Sequence, residues 1–342
     1  MRFLSILFFV LFSISVPLVD SQSFAKERQG EVAVHFNLNA PTPTDVKNLR
    51  LWIPYPISDE NQNITDVRLG GNFSQSGIYR EGEHGNLALY AEWNSPEKEK
   101  ILFYTFKVNR KEVIKKSFTE KEFSFSREEF KYYLTSTNLG PTTGKVKELA
   151  QKITKGKKTN YAKAKALYDW IITNMRRDPD IKGCGVGDVE KLVVSLAGKC
   201  VDIHSVFVTL ARSAGVPARE IFGIRMPKDK EGDMTKAQHC WAEFYVPGYG
   251  WVPVDPSDVR KAMLEKTMAD VKEAKHFVEY FFGAVDEDRI AFQTGRDLML
   301  NPPQNDLKLN YFMYPYAEAD GKALNEDLCG FNIGYTISFK EL

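Results

Sequence analysis

The feature that most constrains the fold is a change of hydrophobic period at "NLGPTTG", residues 138–144. Before it, "EVAVHFNL", "NLRLWIPYP", "NLALYAEW" and "ILFYTFKVNR" are short, partly alternating and rich in β-branched and aromatic residues. Clusters of Asn, Gly, Pro and Ser separate them, and "GEHGN" has the composition of a hairpin turn. After it the period lengthens to about 3.6, the repeat of a helix with one apolar stripe. "KVKELAQKI", "NYAKAKALYDWIITNM" and "VEKLVVSLAG" read as helices, with Thr159 or Asn160 and then Asp188 as N-caps. Two strands, "QHCWAEFYV" and "GWVPVD", follow a further helix and are joined by "PGYG". The pattern predicts an α+β chain: an all-β, sandwich-like module over 26–125, a core of helices and antiparallel sheet over 126–265, and a C-terminal extension over 266–342 packed on that core.

Residues 1–25 have the make-up of an export signal. Arg2 gives a short positive start, 3–19 are almost wholly apolar, and small residues stand at two cleavage points, after Ser21 or after Ala25. The expectation is an exported protein, periplasmic or extracellular, with no stable membrane insertion after cleavage. The chain carries 46 basic and 45 acidic residues, a net charge of +1, which gives no electrostatic reason to propose nucleic acid as a partner.

Export makes the cysteines informative. There are four, Cys184, Cys200, Cys240 and Cys329, and an exported chain is free to pair them. Cys200 stands apart, at the first turn of the amphipathic helix in "GKCVDIHSVFVTLARSAGVPAR". A helix N-terminus presents unpaired N–H groups and partial positive charge, which favours a thiolate. Cysteines are commonly buried, so Cys200 alone reads as structural. Its companions change that reading. His239, at the start of a strand, is placed to act as a base, and Asp255, sixteen residues on across a hairpin, to orient the ring. If Tyr245 pairs with Trp251, Asp255 falls opposite Trp241 and shares a face with His239; a slip of one residue puts them on opposite faces. The pairing predicts a five-residue loop over 246–250, or a bulge of equivalent effect. With Cys200 free, one bridge at most remains, and Cys184 with Cys329 is the expected pair because Cys240 is buried in a strand.

These motifs, with "QHCWAEFYVPGYGWVPVDPSDV", resemble the core of the bacterial transglutaminase-like family. The resemblance is specific over about 178–260 and implies a papain-like fold with Cys200 as nucleophile, His239 as base and Asp255 orienting it. It also implies a thioester intermediate, resolved by an amine in acyl transfer or by water in hydrolysis. A peptidase or amidase on the same residues is the first alternative, and a non-catalytic binding scaffold of the same fold the second. Protein or peptide substrates, including wall peptides, follow from the compartment.

The sequence departs from the papain-like pattern at the second oxyanion donor. Papain-like proteases have a glutamine six residues before the nucleophile; here Val194 stands there and cannot donate. Trp170 lies in a helix stripe and reads as core. No cofactor is expected. There is no EF-hand spacing for calcium, and "DEDR" at 286–289 reads as a solvated turn. A zinc set drawn through His204, His239 and Cys240 loses Cys240, which alternation turns away from His239. His204 reads as a cleft-floor or satisfied core histidine. Asp202 suits the first helical turn, and Arg219 and Glu243 read as a structural ion pair or as separate surface groups.

Overall fold

The computed structural model describes residues 25–39, 42, 45–94, 99–118, 123–324 and 333–342. Of the expected export signal, only Ala25 falls within them.

Three antiparallel sheets organise the molecule. The first orders strands Glu231–Asp233, Tyr335–Glu341, Glu27–Asn37, Ile101–Lys111 and Gln62–Gly71; the second Lys322–Ala323, Tyr316–Ala319, Leu49–Tyr55, Leu87–Trp93 and Gln75–Arg80. Alternation places Val32, Val34 and Phe36 of one sheet against Leu49, Leu51 and Ile53 of the other, all buried in one cluster. This is the sandwich that the period-two segments predict. Part of it comes from far along the chain. Residues 266–342, assigned from sequence to an extension on the core, supply strands to both sandwich sheets. Tyr335–Glu341 alternates buried and exposed residues, and Tyr335, Ile337 and Phe339 turn into the sandwich. That row has the same period-two logic as the N-terminal strands, and it needs an edge to join.

The third sheet, Gly250–Val254, Gln238–Val246, Ala218–Arg225 and Arg289–Thr294, belongs to the core. Helix Cys200–Ser213 packs on it, with Val206, Phe207, Leu210 and Ala211 buried beside Phe244 and Val254. Helices Gly144–Ile153 and Asn160–Asn174 cover its outer side, so that the central helix is buried over nearly its whole length. Thr159 and Asp188 cap their helices, accepting from Ala162 N at 3.1 Å and Lys191 N at 3.4 Å. Helix Val189–Ser195 ends before the expected Gly198. Leu196 takes a left-handed conformation, freeing Ala197–Gly198 to bridge Arg176–Arg177 in parallel. That bridge fixes the entry of the chain into the central helix. Trp170 packs against the core, as its helix stripe implies. Among the described residues no helix is long and apolar enough to cross a membrane.

Candidate active site

The three residues singled out in the sequence converge. Cys200 opens the central helix, with Lys199 as its N-cap residue. The loop before it is shaped by Asp202, whose carboxylate accepts backbone N–H groups of Val186, Gly187 and Lys199 at 3.0, 2.8 and 3.0 Å. Only glycine suits position 185 in this loop: φ is +93°, and an added Cβ would lie 2.0 Å from Asp202 Oδ2. The acidic residue of the first turn therefore does more than favour the helix dipole; it ties the glycine loop over the helix start.

His239 and Asp255 come together through the hairpin register. Tyr245 pairs with Trp251 and Ala242 with Val254, the register that puts both residues on one face. The ladder runs one pair further than expected, to Val246 with Gly250, which tightens the turn. At Asp255 the chain leaves the sheet and starts helix Pro256–Glu265, with Asp255 as N-cap accepting from Asp258 N at 2.7 Å. His239 Nε2 donates to Asp255 Oδ2 at 2.7 Å, and the Cys200 thiol lies within hydrogen-bond reach of the same imidazole. With Nε2 committed to the carboxylate, Nδ1 is the nitrogen left for the sulfur.

The surroundings decide the charges. Cys200 is held well below an ordinary thiol, first by the Cys184 and Cys240 S–H groups, which against burial favour the thiolate, and then by His239. Cys184 and Cys240 are pushed well above the ordinary value and stay protonated: Cys184 by its bond to Cys200 and by burial, Cys240 by burial and then by Cys200. All three are free buried thiols in one cluster with Tyr311 and Tyr314. The expected Cys184–Cys329 bridge is thus not formed. Cys184 instead faces Cys200 and accepts from Tyr314 Oη at 3.2 Å, and Cys329 lies outside the described residues. Cys184→Ala removes the first of the S–H donors, so the midpoint for alkylation of Cys200 should move to higher pH. An unchanged midpoint in a pH series of iodoacetamide labelling would show that this donor is idle.

Burial and Arg225 push the His239 imidazole down, but Asp258 and Asp255 outweigh them and hold it above its usual value. Asp255 is fully buried, which alone would raise it; Arg289, then His239 and His204, hold it well below the carboxylate range. His204 is a satisfied core histidine, Nε2 donating to Asp255 Oδ1 at 3.1 Å and Nδ1 lying 3.2 Å from Cys240 Sγ. Arg289 was hidden in the run "DEDR". It is no part of a solvated turn, being 0% exposed and donating to Asp255, Asp258 and Asp286. The signal for it lies in the segment that follows, "RIAFQT", a strand of which Arg289 is the first residue. His239, Asp255 and Asp258 place donor atoms within 4.8 Å of one another, a spacing that suits a cation. Guanidinium groups already take that role: Arg289 binds both carboxylates and Arg225 donates to Asp258 at 2.5 Å.

Cys200 and His239 open onto a cleft of about 540 Å³. Val194, at the position of the papain-like oxyanion donor, is 77% exposed and has no part in it. Arg219 and Glu243 pair at 2.7 Å beside Trp251, away from this cleft.

A buried thiol at a helix start, an imidazole and a buried carboxylate on an α+β frame define a cysteine-centred fold. The comparisons place the fold in a family. The model for the transglutaminase-like superfamily matches residues 147–256. An uncharacterized protein of Haemophilus influenzae is 38% identical over 303 residues, covering 80% of this chain and 82% of its own. The uncharacterized protein YebA of Bacillus subtilis is 25% identical over 246 residues, of which it is 64% of this chain and 31% of the relative. The crystal structure of a candidate cysteine protease from Cytophaga hutchinsonii has the same fold, with a TM-score of 0.55 at 16% identity over 93% of this chain and 99% of that one. The chain belongs to the transglutaminase-like superfamily.

Proposed function

We propose that this protein is an exported thiol enzyme that cleaves amide bonds through a thioester on Cys200. The observation that carries the reading is the joint placement of Cys200, His239 and Asp255, with a thiol held low and an imidazole held high. The Cys200 thiolate attacks the amide carbonyl and the S–C bond forms. The C–N bond then breaks as protonated His239 gives its proton to the leaving amine. Water or a second amine attacks the thioester while neutral His239 takes its proton, which restores thiolate and imidazolium. Asp255 keeps the ring aligned and stabilises its charged form. The Cys200 backbone N–H, at the helix start, is the donor best placed for the developing oxyanion.

The cleft adds a substrate class. Arg177, Lys199, Lys228, Lys236 and Lys261 line it against a single carboxylate, Asp233, besides Arg225, which is paired. A chain of net charge +1 thus carries a basic cleft, suited to acyl donors with carboxylates near the scissile amide. Acidic peptides fit both this charge and the compartment expected from residues 1–25. Reversing the exposed pair as Lys228→Glu with Lys236→Glu should raise KM for an acidic peptide roughly threefold to tenfold, with kcat unchanged. The effect should shrink in high salt; equal KM for acidic and neutral peptides in the parent enzyme would remove the charge argument.

The test of the chemistry is iodoacetamide labelling against pH, with peptide mapping. Labelling of Cys200 that persists well below pH 8 and moves upward in His239→Ala is the expected result. Ordinary thiol behaviour at Cys200 would leave a binding scaffold of this fold. Product analysis with an acidic glutamine- or amide-containing peptide, with and without an added primary amine, separates transfer from hydrolysis.

A further inference from the structure

A second cavity, of about 370 Å³, lies between the sandwich and the core sheet and shares no lining residue with the thiol cleft. Its feature is an arginine in the wrong place. Strand Ile101–Lys111 turns Leu102, Tyr104, Phe106 and Val108 inward, and the next residue in that row is Arg110, 2% exposed. The Arg110 Nε has no hydrogen-bond partner, and no carboxylate among the described residues stands within ion-pair reach of the side chain. Three carboxylates, Asp59, Glu60 and Glu243, line the same cavity beyond ion-pair distance of Arg110, and each has another partner, Glu60 lying 3.6 Å from Lys115. Asp59 accepts the backbone N–H groups of Asn61 and Gln62 at 2.7 and 2.9 Å, and Glu243 is held by Arg219. A buried guanidinium without an anion is costly, so it marks a place where an anion arrives.

The rest of the lining says what kind. Trp241, 5.9 Å from the Arg110 guanidinium, Trp251 and Ile221 give the cavity apolar walls. A cation without an anion beside apolar walls calls for a ligand that brings a negative charge and an apolar body. We propose that this cavity is a binding site for a small monocarboxylate with an apolar body, the chemistry of an aromatic carboxylic acid. The carboxylate pairs with Arg110, and the apolar part lies along Trp241 and Trp251. The site is separate from the thiol chemistry and stands whether or not that reading holds.

Trp241 and Trp251 make the test direct. N-acetylphenylalanine titrated into the full chain should change tryptophan fluorescence saturably, with calorimetry giving the same Kd. The neutral N-acetylphenylalaninamide should bind about tenfold or more weakly to the same protein, as should N-acetylphenylalanine to Arg110→Gln. Without ligand, Arg110→Met should melt at or above the parent temperature, because it removes a buried unpaired charge. Absence of saturation by the acid, or equal Kd for acid and amide on the unaltered protein, overturns the proposal. The acid–amide comparison needs no variant, so misfolding of an Arg110 substitution leaves the test intact.

Discussion

Replacing Asp255 with alanine is expected to cost about 3–5 kcal/mol of folding stability at neutral pH, read by urea denaturation. This carboxylate is 0% exposed and accepts from His239, His204, Arg289 and the Asp258 N–H. Its loss leaves a fully buried guanidinium and two imidazoles short of an acceptor, which is far worse than never having buried them. The two sites should couple. Asp255→Ala combined with Arg289→Met should destabilise by clearly less than the sum, because the two side chains share one buried ion pair that either change already removes. The pH dependence follows from the direction of the Asp255 shift. Its folded value is depressed, chiefly by Arg289 against burial, so its contribution is fully present above the ordinary carboxyl value of about pH 4. The contribution is lost as pH falls from there toward the folded value. Parent and Asp255→Ala stabilities should therefore converge in acid; a gap that stays constant down to pH 2 would mean the carboxylate is not the source of the difference.

Cys200→Ala should lower kcat/KM on any amide substrate by roughly 10³-fold or more, with no loss of melting temperature. The reasoning rests on the proposed chemistry and on what the site does to the sulfur. Two S–H groups and an imidazole favour the thiolate over the thiol, and a methyl group makes none of these contacts. Alanine also removes a desolvated charge, so folding should be unchanged or slightly improved while chemistry disappears. Cys200→Ser should be nearly as inactive, since a hydroxyl is not ionised by surroundings tuned for a thiol. Binding of substrate should survive in both, measurable by calorimetry. A variant that turned over at the parental rate would move the activity to another group and leave Cys200 as a packing residue.

What the sequence made legible was whatever short-range periodicity controls. The hairpin from Gln238 to Val254 has a register set by alternation, and the pairing of Tyr245 with Trp251 brings His239 to Asp255 as that alternation requires. The helix start at Cys200 is equally local, marked by a glycine, a lysine and an apolar stripe. The groups that tune the site are not local. Arg289 comes from a strand that joins the sheet through Ala218–Arg225, and its pairing with Asp255 depends on that neighbour. Charged runs are usually solvated, and nothing in "DEDR" itself says which of its four residues is turned inward. Cys184 reaches Cys200 from a glycine loop whose path is set by Asp202, so its role as a thiol donor follows from tertiary placement. The basic cleft escaped notice for another reason: net charge averages over the surface, and Arg177, Lys199, Lys228, Lys236 and Lys261 are scattered in the chain yet share one wall.

The strand Tyr335–Glu341 has a consequence for how the molecule comes to be. It lies between Glu27–Asn37 on one side and Glu231–Asp233 on the other, so it stitches an early segment to a middle one. The helices and hairpin around Cys200 are built mostly from neighbours in sequence and can organise early. The sandwich depends on pairings such as Val34 with Ile337, which carry a large loop-closure cost and form slowly. Until they form, Glu27–Asn37 and Leu49–Tyr55 each present an unpaired edge, a template for association with another chain. An isolated fragment of the N-terminal module would keep those edges permanently open. The interval between ordering of the thiol core and arrival of the last strand is therefore when this protein is most exposed to aggregation.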